Sequence, residues 1–396
     1  MKYLSCSADR LQLAERIIEG VWSTYKFPAV EDTKNHKLIF PETNPQGLDL
    51  KHQYFHEPSC LHNEGVWHNC MMGLNYVLAS KTQLRINEKS EAVNESLHKN
   101  LKQLNYDFER NLFRNRTHSP YWDHSTIKIK ARPFGKHYEQ DDTHCLNTNA
   151  LSIIYWSFLT QGNIDIEHMW ESIQKTFYCE EFNLYKKVPN VQKYRAIDHA
   201  ILLLAAHLHC LALINDSRRQ FLQKLILDLT NVLLNVFNYA DPDLIKSYVV
   251  PCENENKNSS RIQRFAWQDT WIAITLEMLN VNVDVLTKNI YETFVEQSTG
   301  LLYNEPRVNG QTSWGASLCV FTGDLSLFYL LLSLQNKAAD HPFSASFDQF
   351  LQDNLIMNSI SNTCLVAESR EFLEPSLWAS SELTFALLMS SMDLKF

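Results

Sequence analysis

Two kinds of helical pattern alternate along this chain. One mixes Lys, Arg, Asp and Glu with apolar residues at helical spacing: Asp9 to Lys26, Lys89 to Phe113, Ile164 to Tyr178, Ser217 to Tyr239, Val283 to Gln297 and Ser344 to Asn358. The other is nearly free of charge on every face: Glu64 to Ala79, Thr143 to Phe158, Ala196 to Leu208, Phe265 to Leu276, Asp324 to Leu334 and Ser376 to Leu388. An amphipathic helix keeps its charges on a wet side, whereas a helix with no charged face must be surrounded by protein. The first set is therefore predicted to lie outside and the second inside.

Each outer helix is followed by a loop rich in aromatic and polar residues and then by an inner helix. Inner helices begin near Glu64, Thr143, Ile197, Ala266, Asp324 and Ser376. Six such pairs close most economically as a ring, with the inner helices packed on one another and the outer ones covering them. The prediction is an all-α fold, an (α/α)6 toroid of six helical hairpins, as one domain over residues 1–396. Each outer helix is expected to pair with the inner helix that follows it. Long loops or short hairpins gather on the one face where the inner helices start, and function is expected there.

The clearest stretch runs from Tyr138 to Phe158. Glu139, Asp141 and Asp142 place three carboxyls within four residues, directly before an apolar helix. Acids at a first turn suit the positive end of the helix dipole, so capping is one reading of Asp141 and Asp142. The other reading turns them toward a cavity. Across the first turns of all six inner helices, acids alternate with flat aromatics. Asp141, Asp142, Asp198, His199 and Asp269 are the candidate catalytic groups. His62, Glu64, Trp67, His68, Tyr138, Trp267, Gln268, Trp314, Glu374 and Trp378 are the candidate substrate-binding groups. Asp324 and Glu382 belong to the same lining. A sugar ring offers an apolar face to Trp or Tyr and hydroxyls to carboxylates, and a small aromatic or terpenoid ligand would also suit these walls.

Hydrolysis by general acid and base needs one carboxyl kept protonated and another ionised. The adjacent Asp141 and Asp142 meet the like-charge condition that keeps a proton on one of them, and Asp198 or Asp269 would oppose them as base. Capping is again the plain alternative for both. His199, beside Asp198, is the alternative acid or base because imidazole titrates near neutral pH. His207 and His209 lie deeper in their helix and read as packing. His62 and His68 match no zinc spacing, so no metal is expected.

Composition narrows the classes further. The 396 residues are 45 % hydrophobic and 12 % aromatic, and their 10 Gly and 12 Pro are scattered rather than gathered into a linker. A formal net charge of −9 argues against nucleic-acid binding, which needs clustered Lys and Arg. The first residues lack the apolar core of a signal peptide, and no run approaches a membrane span. A cytoplasmic location follows as the expectation. Nine Cys without a CxxC pair fit reduced, mostly buried thiols, Cys145 among them. There is no P-loop, G-x-G-x-x-G or G-x-S-x-G segment, and no cofactor is expected. A monomer and a homodimer through the outer helices both stay open.

The hairpin rhythm, with turn segments such as Phe182-Asn183-Leu184-Tyr185 and Thr299-Gly300-Leu301-Leu302-Tyr303, resembles the six-hairpin (α/α)6 superfamily of sugar enzymes. That group includes N-acylglucosamine 2-epimerase-like isomerases and several glycoside hydrolase families. The resemblance implies a saccharide substrate. Epimerases of the group carry paired catalytic His on late inner helices, whereas Phe265 to Leu276 and Ser376 to Leu388 contain none. Carboxylate chemistry of the glycoside hydrolase kind is therefore the leading expectation, with sugar epimerisation or isomerisation as the alternative. Glu139-Gln140-Asp141-Asp142-Thr143 is also similar to the acid motif of class II terpene cyclases, which implies an isoprenoid substrate. A binding scaffold without catalysis is the last reading.

Overall fold

The computed structural model describes residues 4, 6–25, 63–82, 84, 86–114, 116–118, 144–159, 166–213, 216–249, 264–306, 319–358, 360–371 and 375–392. Its inner helices are α2 (Val66–Ser80), α4 (Leu146–Phe158), α6 (Ala196–Ala212), α8 (Ala266–Met278), α10 (Thr322–Leu334) and α12 (Leu377–Ser391). Each packs on the next, and α12 closes the ring on α2. At that joint the Asn75 side-chain amide donates to the Ser381 carbonyl at 2.9 Å. The ring is the (α/α)6 toroid that the alternating pattern predicts.

The outer helices are α1 (Ser7–Tyr25), α3 (Asn87–Leu104), α5 (Ile166–Phe177), α7 (Asp216–Asn231), α9 (Asp284–Phe294) and α11 (Pro342–Asn354). Their pairing corrects the sequence expectation. α3, α5, α7, α9 and α11 pack most closely on the inner helix before them, and α1 covers α12. The reason is chain geometry. The short link 279–283 turns an inner helix straight back along itself, whereas many more residues separate an outer helix from the next inner one.

Two outer helices are also shorter than their sequence patterns suggest. α3 ends at Leu104, and Tyr106–Asp107 pairs with Leu112–Phe113. α11 ends at Asn354, and Leu355–Asn358 pairs with Thr363–Val366. The same hairpin follows α5, where Tyr178–Cys179 pairs with Leu184–Tyr185. Each turn needs a residue at positive φ, supplied by Asn111, Asn183 and Asn362 with φ of 53° at all three. Gly300, at φ 76°, does the same after α9. Asn and Gly are the residues that occupy this region at little strain.

Inner helices without a wet face still carry hydroxyls, which bond to their own backbone. Ser152 donates to the Thr148 carbonyl, Thr275 to Trp271, Ser326 to Thr322 and Thr384 to Ser380, at 2.6–2.9 Å. Such back-bonding lets a polar side chain lie buried without solvent. Close helix contact is set by Gly73, since a Cβ there would overlap the ring of Tyr155 on α4.

Candidate functional site

At the end of the ring where the inner helices begin, the fourth residue of an inner helix repeatedly clamps the hairpin before it. Asn149 on α4 accepts from the Phe113 amide at 2.7 Å. Ser380 on α12 accepts from the Val366 amide at 3.2 Å. His199 on α6 holds the matching place: its Nε2 accepts from the Tyr185 amide at 2.9 Å, and its Nδ1 lies 2.7 Å from the Arg195 carbonyl. The ring is fully buried, and burial pushes its pKa down to about 4. A neutral imidazole donating from Nδ1 and accepting at Nε2 satisfies both contacts.

Four acids stand at this end on three adjacent joints of the ring. Asp198, Asp269 and Asp324 are 0 % exposed and Glu382 is 1 % exposed. A buried carboxylate must be neutralised or paired. Asp198 is paired, receiving Arg195 Nε at 2.7 Å and Nη2 at 2.5 Å. Asp269 is held by Arg264 Nε at 2.7 Å and by the Tyr239 hydroxyl at 2.8 Å. Burial nonetheless raises the Asp269 pKa, against the pull of Arg264. Neither acid caps its helix. The N-cap residues are Arg195 and Phe265, neither of which makes a side-chain cap bond. Both acids instead lock a preceding arginine to the helix start. The signal is present in the sequence as an arginine three or five residues before the acid.

Asp324 and Glu382 differ. Both oxygens of Asp324 and Oε2 of Glu382 have no hydrogen-bond partner among the described residues, and no cation pairs with either group there. Burial pushes Asp324 up to about 7. Burial pushes Glu382 up to about 8, opposed by the indoles of Trp378 and Trp271 and reinforced by the nearby charge of Asp324. The two acids sit on α10 and α12, which pack together. Near pH 7 such a pair keeps a proton. Trp271, the missed aromatic of this cluster, lies in the middle of α8 and is fully buried.

The remaining candidates divide. Trp67 and His68 at the first turn of α2, Trp267 on α8 and Trp378 on α12 are half-buried at the same end of the ring, and Gln268 is buried. Trp378 alone among them is brought to the unpaired acids, and its ring also meets Phe321 at 6.1 Å between centroids. The backbone of Glu64 pairs with Thr117. Asp141, Asp142, His62, Tyr138, Trp314 and Glu374 lie outside the described residues. Among the described residues no group of three or more His, Cys, Asp or Glu is arranged to hold a metal, and no helix is long and apolar enough to cross a membrane.

This architecture defines the class: an (α/α)6 toroid with polar and aromatic first turns on one face. Neither protein families nor curated proteins yield a match to the chain. Solved structures do match over nearly its whole length. A D-mannose isomerase is 12 % identical with a TM-score of 0.65, covering 96 % of this chain and 97 % of its own. The cellobiose 2-epimerase of Spirochaeta thermophila is 11 % identical with a TM-score of 0.62, covering 97 % and 98 %. A reducing-end-xylose releasing exo-oligoxylanase is 10 % identical with a TM-score of 0.59, covering 98 % and 94 %. At such identities the likeness establishes the shared fold.

Proposed function

We propose that this protein is a carbohydrate-active enzyme in which Asp324 and Glu382 exchange a proton with the substrate. The observation that carries the reading is the pair itself: two buried carboxyls with no described counter-cation, beside Trp378, at the starts of neighbouring inner helices. Uncompensated buried acids are costly, and strongly shifted groups concentrate where chemistry uses them. In this reading one carboxyl of the pair is the proton donor and the other is its ionised partner. Trp378 offers the apolar face for a sugar ring, and its half-buried indole is what an entering ligand meets. Asp198, His199 and Asp269 then serve the scaffold, because their polar atoms are engaged by Arg195, Tyr185, Arg264 and Tyr239. Asp141, Asp142 and the other loop candidates would complete the walls of the same site.

Glycoside hydrolysis is the leading reaction, since a pair sharing one proton supplies both the acid and the ionised base. The fold it shares with a mannose isomerase and a cellobiose epimerase supports isomerisation as the second reading, in which a carboxylate with a near-neutral pKa would take a proton beside a sugar carbonyl. Incubation with mono- and oligosaccharides in deuterium oxide separates the two. New reducing ends without carbon-bound deuterium mean hydrolysis, and deuterium at C2 means isomerisation. Both activities are expected to vanish in Glu382→Gln and Asp324→Asn while sugar binding persists. Full turnover in either variant would sink the assignment.

A further inference from the structure

The ring holds a cavity at the end where the inner helices finish. It measures about 100 Å³ and its wall is apolar, with Leu78, Ile154, Leu204, Met278 and Met389 contributed by α2, α4, α6, α8 and α12. Trp271 forms part of the same wall. Engineered apolar cavities of roughly 150 Å³ stay dry and take up benzene, so this space suits a compact apolar group rather than water. Several methionines in the wall adapt to varied ligand shapes. One cation joins the lining: Lys81, just past the end of α2, exposed and 4.6 Å from the centroid of Phe158. Among the described residues no carboxylate lies within ion-pair distance of it.

We propose that this end of the toroid is a ligand site for a small molecule with an apolar body, the size of one aromatic ring or a short acyl chain, and a carboxylate that pairs with Lys81. The site is separate from the Asp324–Glu382 pair and stands whether or not that pair is catalytic. It shares only Trp271 with it, one indole that lines the cavity and faces Glu382.

Calorimetric titration of the full chain with octanoate and with 1-octanol tests the proposal. Both are expected to bind saturably, one molecule per chain. Lys81→Gln is expected to weaken octanoate roughly 2- to 5-fold, the scale of one exposed ion pair, and to leave octanol unchanged. Leu204→Trp fills the cavity and is expected to remove binding of both, with its thermal transition reporting that it folds. Met278→Phe serves as a second filling variant from another helix. Absence of saturable binding in the wild type overturns the proposal. So does undiminished binding in a folded filling variant, or an equal loss of octanol and octanoate in Lys81→Gln.

Discussion

The carboxyl of Glu382 lies against the bare Cα of Gly323, so that a Cβ built at Gly323 would overlap Glu382 Oε2. The contact joins the first turn of α10 to the second turn of α12, and it holds the acid beside Asp324. A glycine inside a helix ordinarily costs about 1 kcal/mol relative to alanine. Here the missing side chain makes room for a charge-bearing group.

That relationship predicts a sign reversal. Gly323→Ala is expected to lower stability by about 1–3 kcal/mol through overpacking, despite the better helix propensity. In a Glu382→Ala background the same change should be neutral or stabilising. Denaturant unfolding of the four proteins of this cycle measures the coupling. Additive effects would mean that Glu382 does not occupy the space above Gly323.

The unpaired acids predict how stability follows pH. Their folded pKa values, about 7 and about 8, lie above the ordinary carboxyl range. Between roughly pH 4 and 8 the native state therefore binds more protons than the unfolded chain, and stability falls as pH rises through that window. For Asp324 alone the loss is on the order of 4 kcal/mol at most. Asp324→Asn and Glu382→Gln should melt higher than wild type at pH 8 and flatten the slope, a gain often seen when a functional group is removed. Thermal unfolding at pH 5 and pH 8 checks this. A wild type whose midpoint does not fall toward pH 8 would count against a buried, uncompensated pair.

His199 gives the opposite sign at lower pH. Its folded pKa of about 4 lies below the unfolded value near 6.5, so its contribution is complete above that value and is lost as pH falls through the window. His199→Ala also leaves the Tyr185 amide and the Arg195 carbonyl without partners, at about 1–3 kcal/mol. His199→Asn, which imitates Asn149 and Ser380 at the corresponding helix positions, should recover part of the loss. The checks are urea midpoints and, for the catalytic alternative, turnover per folded molecule. Turnover lost in a variant as stable as wild type would restore His199 as an acid or base.

The Arg195–Asp198 pair is expected to act as structure. Removing one member, as in Asp198→Asn or Arg195→Ala, should cost about 3–5 kcal/mol, because the other charge stays buried alone. A double replacement, Arg195→Met with Asp198→Leu, should be less harmful than either single change. Denaturant midpoints with activity per folded molecule decide the matter. An Asp198→Asn enzyme that folds normally but is inactive would return Asp198 to the catalytic set.

Much of the toroid was legible in the chain, for a local reason. A helix enclosed by protein is apolar on all faces whatever encloses it, so α2, α4, α6, α8, α10 and α12 could be placed within a few residues. The turns were legible too, since positive φ calls for Asn or Gly at Asn183 and Gly300. The pairing of outer with inner helices was not, because it depends on link geometry rather than on residue pattern. Nor could the hairpins after α3 and α11 be told from helix ends, as Tyr106–Phe113 and Leu355–Val366 gain strand pairing only through contacts made by the folded turn.

By itself, the sequence determined the six-hairpin ring and the end of it where acids and aromatics collect, because burial periodicity and helix-start chemistry are written locally. Only the tertiary structure decided which acids are compensated. Asp198, Asp269, Asp324 and Glu382 look alike as residues at or near helix starts. Their difference rests on what lies within about 3 Å of each oxygen, a guanidinium for two of them and, among the described residues, none for the others, and such short-range electrostatics exists only once distant segments have met.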